Sequence, residues 1–212
     1  MTRLEAAIVT VFLGAACLLL ACVLPWWVAA AVGLYFVELP VEMVIAAACA
    51  GLGLGVLLNT VFLRRWVTNF YGTSLWPLTA VYLALSVIAI AFFMGLPVGT
   101  FALGILAGAY MGTRQRHHGA DAHGASRPIT VCALLTAVVT TAAAAPVGIM
   151  ALDEQSVATA IAPVLAAGQP LFGDVSGLVL VGTLCAVLFL AQYAGSKLAG
   201  RLAWRLPIPE VP

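Results

Sequence analysis

The chain has 212 residues, of which 64% are hydrophobic and only 8% charged, with a formal net charge of +1 and a mean hydropathy of +1.13. A soluble domain covers its surface with about 25% charged residues. A soluble globular fold is therefore excluded, lipid is the expected partner of most of the exterior, and nucleic acid is not an expected partner.

In lipid the backbone must satisfy its own hydrogen bonds, which leaves helices or a closed barrel. Barrel strands alternate polar and apolar residues over about ten positions. The long runs of Ala, Leu and Val here do not alternate, so the expected fold is an all-α polytopic membrane bundle.

The first expected helix lies within residues 6–37. It is longer than the ~20 residues that span a bilayer, so either Pro25 is expected to kink it or its first turns to lie along the interface. Arg3 followed by apolar residues up to Leu20-Ala21-Cys22 looks like a secretory leader, but the apolar run continues to Val37, which predicts an uncleaved helix. The second helix is expected over 41–63, ending at Arg64-Arg65, and the third over 75–94. Gly95-Leu96-Pro97 predicts a tight turn into a short fourth helix over 98–111. A polar cytoplasmic loop, 114–127, carries His117, His118 and His123. The fifth helix is expected over 128–145 and the sixth over 177–196. Between these two lies an outer segment, 147–176, and a tail follows from 197 to 212.

All nine basic residues fall at alternate ends of the apolar runs: Arg3, then Arg64 and Arg65, then Arg114, Arg116 and Arg127, then Lys197, Arg201 and Arg205. The intervening gaps carry Glu38, Glu42, Asp153, Glu154 and Asp174. This positive-inside pattern predicts six transmembrane helices in the plasma (inner) membrane with both termini cytoplasmic. It also forbids a full crossing by 147–167, which is expected to be a re-entrant or interfacial helix. Trp66, Tyr71 and Trp76 suit an interfacial aromatic belt. Lys197, Arg201 and Arg205 recur every four residues, so a helical extension would present them on one face to anionic lipid headgroups.

The whole chain reads as one membrane domain containing a tandem hairpin repeat, 6–63 and 75–112. Tyr35-Phe36-Val37-Glu38-Leu39-Pro40-Val41-Glu42 matches Phe92-Phe93-Met94-Gly95-Leu96-Pro97-Val98-Gly99. At the same offset Ala47, Gly51 and Gly55 align with Gly104, Gly108 and Gly112. Small residues at this spacing let helix backbones approach closely, so both rows are expected at packing surfaces within the chain, with an oligomer contact or a narrow pore wall as the alternative. Pro146-Val147-Gly148 is a weaker third echo.

Ionisable groups at membrane depth are costly and point to function. Glu38, Glu42, Asp153, Glu154 and Asp174 are therefore the candidate solute- or ion-binding residues, forming an acidic outer vestibule that concentrates cations. The competing reading is solvated loop ends. The loop histidines match no structural zinc spacing. Cys17, Cys22, Cys49, Cys132 and Cys185 lie inside apolar runs without a Cys-x-x-Cys pair, so neither a disulfide scaffold nor a metal site is expected. Asn59, Thr60, Tyr82, Ser86, Tyr110, Thr136, Thr140, Thr141, Gln192 and Tyr193 could each bond a neighbouring helix.

No nucleotide-binding or hydrolase motif occurs, and no cofactor is expected. The first functional expectation is a small permease, channel or substrate-binding transport component for a cation or small uncharged solute. The second is a structural or assembly subunit, as a homo-oligomer or with a membrane-complex partner. A membrane enzyme is the least supported.

Overall fold

A computed structural model describes residues 3–93, 96–153 and 177–206. All regular structure among these residues is helical: α1 (Arg3–Tyr35), α2 (Val41–Thr68), α3 (Leu75–Phe92), α4 (Val98–His117), α5 (Ala122–Asp153) and α6 (Gly177–Arg205). Five of the six are long and apolar enough to cross a membrane: Glu5–Tyr35, Val41–Thr68, Leu75–Phe92, Ala122–Ile149 and Val181–Arg205. The sixth, α4, has 20 residues and ends in Arg114, Arg116 and His117. The chain is a helical membrane bundle, as its composition predicts.

Both Leu-Pro-Val sequences start helices. Pro40 and Pro97 occupy the N-cap positions of α2 and α4. Each offers its carbonyl to the first turn, accepting from Met43 N–H at 2.9 Å and from Phe101 N–H at 2.8 Å. Proline suits a helix start because the first N–H groups have no intrahelical acceptor to lose.

Helix boundaries depart from the sequence expectation at the basic residues. α2 runs through Arg64 and Arg65 to Thr68, α4 through Arg114 and Arg116 to His117, and α6 through Lys197 and Arg201 to Arg205. Positive charge is favourable at a helix C-terminus, and long basic stems lie along apolar surface while their heads reach water. The end of the apolar run is thus not the end of the helix.

The polar loop expected over 114–127 shrinks accordingly to 118–121. His118 ends α4 and Gly119 takes the left-handed conformation (φ 65°), the single described position that requires it. Gly119 N–H donates to Arg116 O at 3.0 Å and Ala120 N–H to Gln115 O at 3.1 Å, a Schellman closure. Asp121 then caps α5, its Oδ1 accepting from Gly124 N–H at 2.8 Å.

Pro146-Val147-Gly148, expected to open a separate helix, does not start one. Pro146 lies inside α5, which continues to Asp153. The rest of that outer segment, 154–176, lies outside the described residues.

Two compact units divide the described residues, one up to residue 85 and the other from 86 to 206. In the first, α1 and α2 form an antiparallel hairpin. A Cβ at Gly55 would meet Ala21 Cβ at 2.9 Å and Leu18 Cα at 3.3 Å, and one at Gly51 would overlap the Ala21 carbonyl oxygen. Asn59 Nδ2 extends the same seam by donating to Gly14 O at 3.0 Å. Ala47, the first member of this row, is partly buried. At the α2–α3 turn, Phe70 is buried and meets Tyr71 edge-on at 5.4 Å, while Trp66 stacks on Phe62 at 5.9 Å.

In the second unit α4, α5 and α6 form a three-helix bundle. α5 contributes Ala125, Ile129, Ala133, Thr136, Ala137 and Thr140, a buried stripe at helical spacing. The α4 row packs on α6 in constant register: Gly104 on Gln192, Gly108 on Ser196, Gly112 on Gly200. Both rows ascend together, so α4 and α6 are parallel. The two small rows of the sequence echo therefore serve different partners, α2 on its hairpin neighbour and α4 on the last helix.

Candidate functional site

The interior of the α4–α5–α6 bundle combines buried alanine, isoleucine and methionine with polar, uncharged side chains. Thr100, Thr136, Thr140, Gln192 and Ser196 are all fully buried. Each stands on the face its helix turns inward, at four-residue steps: Thr100 before the α4 glycines, Thr136 and Thr140 on the α5 stripe, Gln192 and Ser196 ahead of Gly200 on α6. Gly104 brings these together. A Cβ there would overlap Gln192 Nε2, and would lie 2.9 Å from Gln192 Cδ and 3.2 Å from Thr136 Cβ. The missing side chain makes the space that the carboxamide fills.

Two of the threonines direct their protons back to their own helices. Thr136 Oγ1 donates to Ala133 O at 3.0 Å, and Thr100 Oγ1 to Pro97 O at 2.8 Å. Their remaining capacity is acceptor only. By contrast, Gln192 Nε2 and Oε1, Thr140 Oγ1 and Ser196 Oγ have no hydrogen-bond partner. A buried polar group left unsatisfied costs about 1–3 kcal/mol, and such groups in a folded protein require an explanation. The site can offer donors and acceptors to a small polar molecule and holds no formal charge.

The sequence-predicted carboxylates are elsewhere. Glu38 lies exposed in the α1–α2 connection and Glu42 exposed in the first turn of α2, both in the first unit. Asp153 is the last residue of α5 in the second unit, at the opposite end of that helix from Arg127. Glu154 and Asp174 lie outside the described residues. Among the described residues no group of three or more His, Cys, Asp or Glu side chains is placed to hold a metal. His117 ends α4, His118 caps it, and His123 lies in the first turn of α5.

Sequence reasoning named Thr136, Thr140 and Gln192 only as polar helix residues and missed Thr100 and Ser196. The signal that could have found them is Gln192-x-x-x-Ser196-x-x-x-Gly200, a row with the same step as Gly104-x-x-x-Gly108-x-x-x-Gly112. In comparisons with known proteins, no family model, curated protein or solved structure matches the chain.

Proposed function

We propose that this multi-pass membrane protein is a small permease, channel or substrate-binding transport component whose solute is sensed by the uncharged seam at Gln192. One observation carries the reading: a fully buried carboxamide in a membrane bundle with neither of its polar atoms partnered. Polar side chains between membrane helices ordinarily bond one another. An unmet donor and acceptor side by side, among threonine oxygens, favour a small uncharged solute over an anion. Glu38, Glu42, Asp153, Glu154 and Asp174 belong to the proposal as an acidic outer face, on the charge rule alone, as do the inner-membrane location and cytoplasmic termini.

The test is flux into liposomes containing the purified protein, using glycerol, acetamide and rubidium ion as probes. Uptake of at least one probe above protein-free liposomes is expected, abolished by Gln192→Leu and weakened by Glu42→Ala or Asp153→Ala while each variant keeps its helical content. Flux at the protein-free level for every probe overturns the transport reading.

A second reading, a subunit assembled with another membrane chain, is favoured by the outer face of α2. Ala46, Cys49, Ala50 and Gly53 form a second small row that is exposed, and a Cβ at Gly53 would meet nothing within 4 Å. Co-purification of a stoichiometric partner in mild detergent supports it, and a monodisperse single chain counts against it.

A further inference from the structure

Six of the nine basic residues gather at one end of the α4–α5–α6 unit. Arg114 and Arg116 end α4, Arg127 lies in the second turn of α5, and Lys197, Arg201 and Arg205 ride the final turns of α6. The parallel register of α4 and α6 and the short α4–α5 turn bring these stretches together. Among the described residues the carboxylate that accompanies them is Asp121, whose Oδ1 caps α5. Arg116 Nη1 donates to Leu206 O at 3.0 Å, and Lys197 Nζ donates to Tyr193 OH at 2.5 Å while lying 4.8 Å from that ring's centroid. Arg127, Arg201 and Arg205 are exposed.

The neighbouring stripe of α6 decides what this charge is for. Leu198, Leu202 and Leu206 are 59%, 55% and 60% exposed, each one residue beyond Lys197, Arg201 and Arg205. One residue is 100° of helix, so an apolar stripe runs beside a basic one for more than two turns. The α6 span Val181–Arg205 has 25 residues. That is about 37 Å of helix against a hydrocarbon core of about 30 Å, so its last turns stand in the headgroup layer. Trp204 ties these turns to the α4–α5 connection by donating its Nε1–H to Ala120 O at 3.3 Å.

The geometry points to a binding site for an anionic phospholipid along the C-terminal turns of α6. Arg201 and Arg205 hold the headgroup phosphate, and Leu198 and Leu202 line the upper acyl chains. A soluble polyanion would engage the arginines and leave the leucines in water. The lipid uses both stripes.

The experiment follows thermal unfolding of the full chain in nonionic detergent with added phosphatidylglycerol, phosphatidylcholine, inorganic phosphate or a short single-stranded oligonucleotide. Phosphatidylglycerol is expected to raise the midpoint by several degrees and the other three to leave it unchanged. Arg201→Gln/Arg205→Gln is expected to lose most of that shift, Arg201→Lys/Arg205→Lys to keep it, and Leu198→Ser/Leu202→Ser to reduce it. If the glutamine variant is itself less stable, the number of phosphatidylglycerol molecules retained in native mass spectrometry replaces the midpoint as the readout. An equal shift from phosphatidylcholine, phosphate or oligonucleotide overturns the inference. So does full phosphatidylglycerol binding by the glutamine variant.

Discussion

Gly51 of α2 rests on the carbonyl of Ala21, the acceptor in α1 whose i+4 donor Pro25 removes. A proline inside a helix leaves the carbonyl four residues earlier without its N–H. Here Gly51 has no Cβ, so its backbone can approach that oxygen where any side chain would overlap it, the kind of close approach at which weak Cα–H···O contacts recur between helices. The proline and the glycine are one device on two helices.

Gly51→Leu is accordingly expected to be severe. Its Cβ would overlap a backbone oxygen, and Pro25 Cγ lies 3.0 Å from the same position. Overpacking a tight contact costs about 1–3 kcal/mol. Gly53→Leu, two residues away with nothing within 4 Å of its Cβ, is the matched control. Thermal unfolding in detergent should show a lower midpoint for the first and little change for the second. Equal midpoints would remove the packing account.

The α4 row should give a ranked series. At Gly108 and Gly112 a Cβ would strike the carbonyls of Ser196 and Gly200, whereas at Gly104 it would strike the movable end of Gln192. A carboxamide can swing aside and a helix backbone cannot. Gly112→Ala and Gly108→Ala should therefore lower stability more than Gly104→Ala. Gln192→Ala should relieve part of the Gly104→Ala cost, with a coupling of about 0.5 kcal/mol or more in a double-mutant cycle. Strict additivity would separate the two residues.

Asn59→Leu removes the Asn59 Nδ2 bond to Gly14 O. Hydrogen bonds between membrane helices are worth about 0.6–1.7 kcal/mol, so a loss of that size is expected in denaturant unfolding of the full chain. A gain in stability would mean that the amide is a burden the hairpin carries.

Asp121→Ala deletes the α5 cap. N-cap substitutions cost about 1 kcal/mol, and the effect should be local. Hydrogen exchange at the Gly124 amide should accelerate several-fold while amides near Ala133 are unchanged. Unchanged exchange at Gly124 would discard the capping bond.

The existence and order of the helices was legible because apolar runs long enough to span a bilayer have few alternatives. Their ends were not, because Arg64, Arg114 and Lys197 end the apolar runs, while the helices themselves continue to Thr68, His117 and Arg205. The α4 row was legible as a packing surface, yet its partner was not. Spacing reveals that Gly104, Gly108 and Gly112 admit a close neighbour, and only tertiary structure selects α6. Glu38 and Glu42 drew notice because charge is conspicuous in such a sequence. Gln192 and Ser196 are ordinary residues until burial at zero exposure makes their unmet bonds expensive.

The register of Gly104, Gly108 and Gly112 on Gln192, Ser196 and Gly200 also bears on biosynthesis. The chain leaves the ribosome from its N-terminus, so α4 and α5 are made while α6 is still unwritten. The glycine face of α4 then has no cover until the final helix emerges. A truncation before Gln192 would release a protein with that face open to lipid and to other helices, a natural target for membrane quality control.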